Sequence, residues 1–299
     1  MRLTPLFLVL ISASACLDRI ILDGTVKSTR DAAGAFDTLS DLEVARIGAA
    51  SSLVQLEGMN RLAPDNEDAL YLLTQSWAGY AGAFIEDEWE QAIDKEDEEA
   101  EAFQAQRARD AYDRSIRFGT LLLEQQRPGF VAAMKNSDTI KAYLSGFTKK
   151  SDAEPLLWLG AAWLSRGSVA SEDSAVVADL FIGVAILEHA VALDEGVGYA
   201  TGLAALGAYH ARSPDAELAE SKRLFERALT LTNRGALTVQ LLYAQSWACN
   251  SHDKTAYEKL LAEVVEAKDV LPAQRLENVV AKKKAKRYLA PPRLKRCSF

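Results

Sequence analysis

Apolar residues recur along this chain at steps of three, one and three. In LLWLGAAW (Leu156–Trp163), Leu156, Leu159, Gly160 and Trp163 share one helical face, and no charge interrupts the stretch. Leu70, Leu73, Thr74 and Trp77 repeat the spacing. So do Leu203, Leu206, Gly207 and His210 and, more loosely, Gln240, Tyr243, Ala244 and Trp247. Each set runs from a large residue to a leucine or aromatic, then mostly to a small residue and a bulky ring. A second group of helices alternates small and large residues at steps of four and three. These are Ser52, Leu56 and Met59 in a helix ended by Pro64; Ala108, Tyr112, Ser115 and Ile116; Gly183, Leu187, Ala190 and Val191; and Ser221, Phe225, Ala228 and Leu229. β-Branched residues rarely alternate with polar ones, so the pattern predicts helix almost throughout and an all-α fold.

Bulk set beside a notch lets two helices of a hairpin approach closely. Gly160 with Ala161 admits a neighbouring helix, and Trp163 fills the wedge beside the contact. Trp158 lies about 140° around the helix from Trp163, at ~100° per residue. One tryptophan is therefore core, and the other faces the next repeat or an open groove. The arrangement resembles the tetratricopeptide (TPR) repeat and implies a TPR-like helical-hairpin repeat array, an α-solenoid. The first-helix pattern recurs after 47 residues (Leu156 to Leu203) and then 37 (Leu203 to Gln240), against a standard period of about 34. The repeats thus carry insertions. The longest lies between Trp77 and Ala108, and a second has turns at Pro128-Gly129 and Gly146.

The first residues, MRLTPLFLVLISASAC, read as an export signal, with Arg2 ahead of a short apolar run from Leu6 to Ile11 and small residues from Ser12 to Ala15. Ala13-Ser14-Ala15-Cys16 resembles a lipobox, which implies cleavage before Cys16 and its lipidation. Two or more acyl chains there anchor a protein stably. Leu17 rather than Asp follows the cysteine, which by the sorting rule of such lipoproteins implies the outer membrane. No later segment reads as apolar for long enough to cross a membrane, so the remainder is expected to be soluble. The expected organisation is a signal peptide at 1–15, a lipidated linker and first helix at 16–44, the repeat domain at 45–290 and a basic tail at 291–299. Cys249 and Cys297 can oxidise together in an exported protein, but the apolar helical setting of Cys249 favours a buried thiol.

Composition is ordinary for a globular chain, 49% hydrophobic and 25% charged. A net charge of −8 argues against a nucleic-acid partner. The charge is unevenly placed. EDEWEQAIDKEDEEAE (Glu86 to Glu101) is acidic, and KKKAKRYLAPPRLKRCSF (Lys282 to Phe299) is basic. Each run reads as a solvated face or tail. Contact between the two, or between the tail and anionic headgroups, is the other reading.

Catalytic chemistry finds little support. The three histidines, His189, His210 and His252, form no HExxH or close His/Cys set, so no metal is expected. His210 takes a ring position and reads as packing. No GxSxG is present. GVGYATG (Gly196 to Gly202) lacks the strand and spacing of a phosphate loop and reads as a hairpin turn. No catalytic residue and no cofactor is predicted. Binding remains. Phe84, Trp89, Trp158 and Tyr199 fall outside the hairpin seams and are the candidate ligand or partner residues.

The stretches WAGYAGAFIEDEWE, RPGF, LLWLGAAW, ALDEGVGYATGLAALGAYHA, LLYAQSWACNSHDKTAYEKLL and QRLENVVAKKKAKRYL resemble, in order and spacing, the T-component family (TatT) of tripartite ATP-independent periplasmic (TRAP) transporters. The resemblance implies a non-catalytic, periplasm-facing lipoprotein of the cell envelope. It further implies docking to a TRAP-type periplasmic solute-binding protein, binding or relay of an apolar small molecule through a channel in each protomer, and a homotrimer. The alternative is a TPR scaffold lipoprotein for protein–protein assembly in the envelope.

Overall fold

The computed structural model describes the backbone of residues 6–212 and 217–299, and side chains from Arg19 onward within that span. No strand occurs among the described residues. The helices are α1 (Leu6–Ala32), α2 (Leu42–Leu62), α3 (Glu67–Tyr80), α4 (Glu86–Asp94), α5 (Glu98–Gln126), α6 (Phe130–Ala133), α7 (Ser137–Leu144), α8 (Ala153–Val169), α9 (Ser174–Ala178), α10 (Leu180–Leu193), α11 (Val197–Arg212), α12 (Leu218–Leu231), α13 (Leu237–Tyr243), α14 (Lys254–Glu266), α15 (Arg275–Tyr288) and α16 (Pro291–Arg296). Two π-helical turns, Ala81–Ile85 and Ala244–Ala248, prolong α3 and α13 without a break.

Side-chain caps set several helix starts. Asp41, Asn66, Asp97, Asn136, Asp173 and Asp253 each accept hydrogen bonds from backbone amides of the first turn. Helix α2 stops at Leu62, ahead of Pro64.

The helices pack in pairs that stack on one another: α3 with α5, α8 with α10, α11 with α12, and α13 with α14. The main core runs through these pairs to Ala281, Ala285 and Tyr288 on α15, while a smaller cluster joins Val26 and Leu56 to Leu70, Leu73, Phe118 and Leu122. The notches sit where the spacing places them. A Cβ on Gly160 would lie 2.7 Å from Leu187 Cγ and 3.1 Å from the Gly183 carbonyl oxygen; one on Gly183 would lie 2.6 Å from Trp163 Cβ. On the next pair, a Cβ on Gly207 would lie 3.0 Å from the Phe225 ring, and the Gly207 carbonyl accepts a hydrogen bond from Ser221 Oγ.

Gly183→Val is therefore expected to destabilise the fold by about 1–3 kcal/mol, the usual cost of overpacking a full site. That exceeds the gain from replacing glycine in a helix, which is below about 1 kcal/mol. Urea unfolding measures it, and stability at or above that of the parent would mean α8 and α10 do not approach this closely.

Several expectations need correction. Ser52 is exposed, and α2 instead buries Leu53 beside Leu56; the spacing allowed either face, and leucine bulk decides. Trp163 is core, at 4% exposure, as one of the two tryptophans had to be. Cys249 is not a free thiol, being joined to Cys297 in a disulfide. The 20-residue stretch Ser174–Leu193 is long and apolar enough to cross a membrane, with mean hydropathy 2.0. It is, however, two helices broken at Asp179, and α10 buries Ile182, Gly183, Ile186 and Leu187 in the core. His210 pairs with Glu217, 2.5 Å from Nδ1. GVGYATG forms a turn, as expected, and does so in left-handed backbone at Gly198, Tyr199 and Ala200. Only glycine takes that conformation without strain.

Candidate polar interior and arginine-walled cavity

The acidic and basic runs meet. Helix α4 carries Asp87, Glu90 and Asp94 at steps of three and four, which aligns three carboxylates on one face. Opposite stand Lys283, Lys284 and Arg287 of α15 and Arg293 of α16. Glu90, 5% exposed, accepts hydrogen bonds from the Tyr288 hydroxyl at 2.8 Å to both oxygens and from Arg287 Nη2 at 2.5 Å. Arg293 Nη2 and Lys284 Nζ stand 3.5 and 3.8 Å from its carboxylate. Asp87, 4% exposed, pairs with Lys283 and Arg287 at 2.9 Å each. Asp94 lies 2.6 Å from Arg293 Nε and 3.4 Å from Arg287 Nη1.

This corrects the reading of the two runs as solvated faces. Three carboxylates and three cations, nearly 200 residues apart in sequence, meet in the interior, and Lys283 joins this ionic cluster from the surface. Lys282, at the start of the basic run, instead donates to the Ala267 carbonyl.

Beside the cluster, Tyr112 of α5 donates to Glu86 Oε1 at 2.5 Å. Burial pushes the Glu86 carboxyl above the usual carboxylate range, partly offset by Lys284 and the Tyr112 hydrogen bond. Burial also raises Tyr112 and Tyr288 well above an ordinary phenol, with Glu86 and Glu90 adding to it, so both remain neutral donors. Lys284 Nζ reaches the carbonyl of Gly82 in the first π turn at 3.3 Å.

The second π turn also reaches this interior. Gln245 Oε1 accepts from the Tyr288 hydroxyl at 3.1 Å. A π turn inserts one residue into the helical count and so rotates everything beyond it by ~100° relative to the 3.6-residue pattern. Such turns occur disproportionately at functional sites.

Between α11, the second π turn, α14, α15 and α16 lies a cavity of about 190 Å³. Arg212, Arg293 and Arg296 form its charged wall, with Gln245, Tyr288 and the Cys249–Cys297 disulfide among its other groups. Arg212 is solvent-exposed, yet surrounding protein lowers its pKa through desolvation, opposed by Glu86, Tyr288 and Glu90. Its hydrogen bonds go to Ser168 Oγ and the Ala208 carbonyl.

The residues expected to bind are distributed elsewhere. Phe84 lies half-buried in the first π turn, its ring 5.5 Å from that of Tyr80. Trp89 follows on α4, half-buried against the main core, with its indole N–H buried and unpartnered. Trp158 is half-buried where the two apolar clusters join, beside Trp77 in both. Tyr199 is 39% exposed on the strained turn. Phe84 and Trp89 share one continuous helical segment; Trp158 and Tyr199 stand on α8 and α11. None of the four lines the arginine cavity. Cys16, the expected lipidation site, belongs to the stretch whose side chains lie outside the described residues.

The residues that sequence reasoning did not single out are Glu90, Arg212, Gln245, Arg287 and Arg293. The one signal for them was the opposite charge of the two runs.

Stacked helix pairs enclosing an ionic interior and a small polar cavity place this chain among the all-α helix-pair proteins. More closely, the chain belongs to the TRAP transporter T-component family, whose model matches residues 38–292. The match takes in the polar interior from α4 through α15 and ends within α16, one residue before Arg293. Membership makes the protein a T-component of a TRAP transporter, an envelope-associated accessory of transport that works with other TRAP components. No curated protein matches the chain.

Proposed function

We propose that this protein is a lipid-anchored, periplasm-facing T-component that docks the periplasmic solute-binding protein of a TRAP transporter and holds or relays an apolar solute. The observation that carries this reading is the family match over residues 38–292. The anchor is Cys16, and the outer membrane is its site by the residue that follows. The stacked helix pairs support a TPR-like array, an architecture that presents extended concave surfaces to partners. Phe84, Trp89, Trp158 and Tyr199 are the candidate aromatic contacts, as half-buried or exposed rings, with Phe84 in the first π turn. Tyr199 stands on left-handed backbone, a strain that clusters at functional sites. A homotrimer is the proposed assembly.

Cross-linking of the full chain in intact cell envelopes tests the docking. The solute-binding protein should be recovered, and Cys16→Ser should move the protein to the soluble envelope fraction. Recovery of outer-membrane assembly factors alone would establish the scaffold role instead.

A further inference from the structure

Exposed apolar side chains scattered singly are normal on a folded protein, but five of them gather at one end of this molecule. Arg19 of α1 pairs with Asp65, in the turn between α2 and α3, at 2.7 Å. Gln125, near the end of α5, donates to the Asp65 carbonyl at 2.6 Å, and Gln126 donates to Glu67. Just beyond α5, the backbone amides of Gly129 and Val131 reach back to Glu124. These contacts hold the Arg19 turn of α1, the end of α2, the end of α5 and the start of α6 together. On them stand Ile20, Ile21, Leu62, Leu121 and Val131, each between 44% and 72% exposed. Exposed cations lie among them: Arg61 beside Leu62, Arg117 one turn before Leu121, and Arg127 ahead of α6. None of these three forms an ion pair among the described residues, whereas the carboxylates here are engaged. Asp23 and Asp65 pair with Arg19, Glu124 accepts the amides of Gly129 and Val131, and Glu67 accepts from Gln126.

We propose that this end is a membrane-contact face. Ile20, Ile21, Leu62, Leu121 and Val131 enter the interfacial layer of a phospholipid bilayer, and Arg61, Arg117 and Arg127 meet its anionic headgroups. Two observations name the occupant. Apolar side chains interspersed with unpaired cations match the boundary between acyl chains and anionic headgroups, where apolar burial and electrostatic attraction add. Ile20 also follows Cys16 by one turn of α1, ~6 Å at ~1.5 Å per residue, so acyl chains on Cys16 enter the bilayer beside this end. The inference rests on that anchor and goes beyond it. The folded body itself touches the membrane, and the contact sets how the stacked helix pairs stand over the bilayer.

The lipidated full chain, bound to preformed vesicles of phosphatidylglycerol and phosphatidylethanolamine, tests it. Leu62→Cys, Val131→Cys and Phe103→Cys each carry an environment-sensitive fluorophore on the new thiol, Cys249 and Cys297 being closed in their disulfide. Phe103 is the control: it is exposed on α5, ~27 Å along the helix from Leu121 at ~1.5 Å per residue. The Leu62→Cys and Val131→Cys probes should be quenched by nitroxides on the acyl chains and lose at least about half of their quenching by aqueous iodide, while the Phe103→Cys probe stays accessible. In vesicles of phosphatidylcholine alone the protection should fall at least about twofold. Equal iodide access at all three positions overturns the proposal. So does iodide protection without nitroxide quenching, which marks a protein contact instead, and so does protection undiminished in phosphatidylcholine. Flotation of the parent with the vesicles reads the anchor separately. A chain that does not float refutes the anchor and this face together; one that floats with the Leu62→Cys and Val131→Cys probes exposed refutes the face alone.

Discussion

Glu90→Gln is expected to lower the unfolding free energy by about 3–5 kcal/mol, the cost of breaking a buried ion pair by removing one partner. Glutamine keeps the shape of the side chain and can still accept from Tyr288, so the loss isolates the charge. Without it, Lys284, Arg287 and Arg293 face a neutral amide, and only Asp87 and Asp94 remain to compensate four cations. Arg293 is 8% exposed and Lys284 7%, so water cannot replace the lost carboxylate. The contrast with the molecular surface is large. Glu172 is exposed on the turn before α9, and Glu172→Gln is expected to change stability by less than about 0.5 kcal/mol. Urea titration of both variants at pH 7 decides it: equal losses would mean that the cluster does not hold α4 to α15 and α16.

Removing the Cys249–Cys297 disulfide, by reduction or as the Cys249→Ser, Cys297→Ser double variant, is expected to cost about 4 kcal/mol. The bond joins positions 48 residues apart, and closing a loop of that length restricts the unfolded chain by this amount on the chain-entropy account. A native-state effect adds to it. The bond ties the C-terminal end of α16 to the end of the helix that carries the second π turn. Helix α16 in turn brings Arg293 to Glu90 and Asp94. Reduction and Arg293→Ala should therefore be less than additive, because each loosens the same contact. Unfolding followed with and without reductant gives both quantities. A change below about 1 kcal/mol on reduction, or strict additivity with Arg293→Ala, would show that α16 is held by other means.

How far the sequence could be read follows from the range of each interaction. The helical faces were legible because neighbours three and four residues apart share a face in every α-helix. Trp163, Gly183, Leu187, Ser221 and Phe225 accordingly pack at the positions their spacing gives. Where two faces offered similar spacing, as at Ser52 and Leu53, the pattern could not choose between them. The same limit applied at Ser174–Leu193. Its apolar run suits a membrane and a protein interior equally, and the break at Asp179 with packing on α8 places it in the interior.

The candidate site was legible only in outline. The aromatic positions were visible as residues, but periodicity says nothing of which rings share a space. Trp158 lies where two apolar clusters join, and Phe84 and Trp89 lie on the segment that enters the ionic cluster. The first π turn displaced that segment further from its expected facing. A single inserted residue rotates Asp87, Glu90 and Asp94 toward α15, and no 3.6-residue pattern reports such an insertion.

The sequence alone determined the helical class, the hairpin notches at Gly160, Gly183 and Gly207, and the family, because these rest on local spacing and on order along the chain. Tertiary structure alone decided that Glu90 meets Tyr288, Arg287 and Arg293, that Cys249 meets Cys297, and that three arginines share one cavity. Each joins segments far apart in the chain. Their pairing follows from how the helix pairs stack and from the cost of leaving a buried charge without its partner.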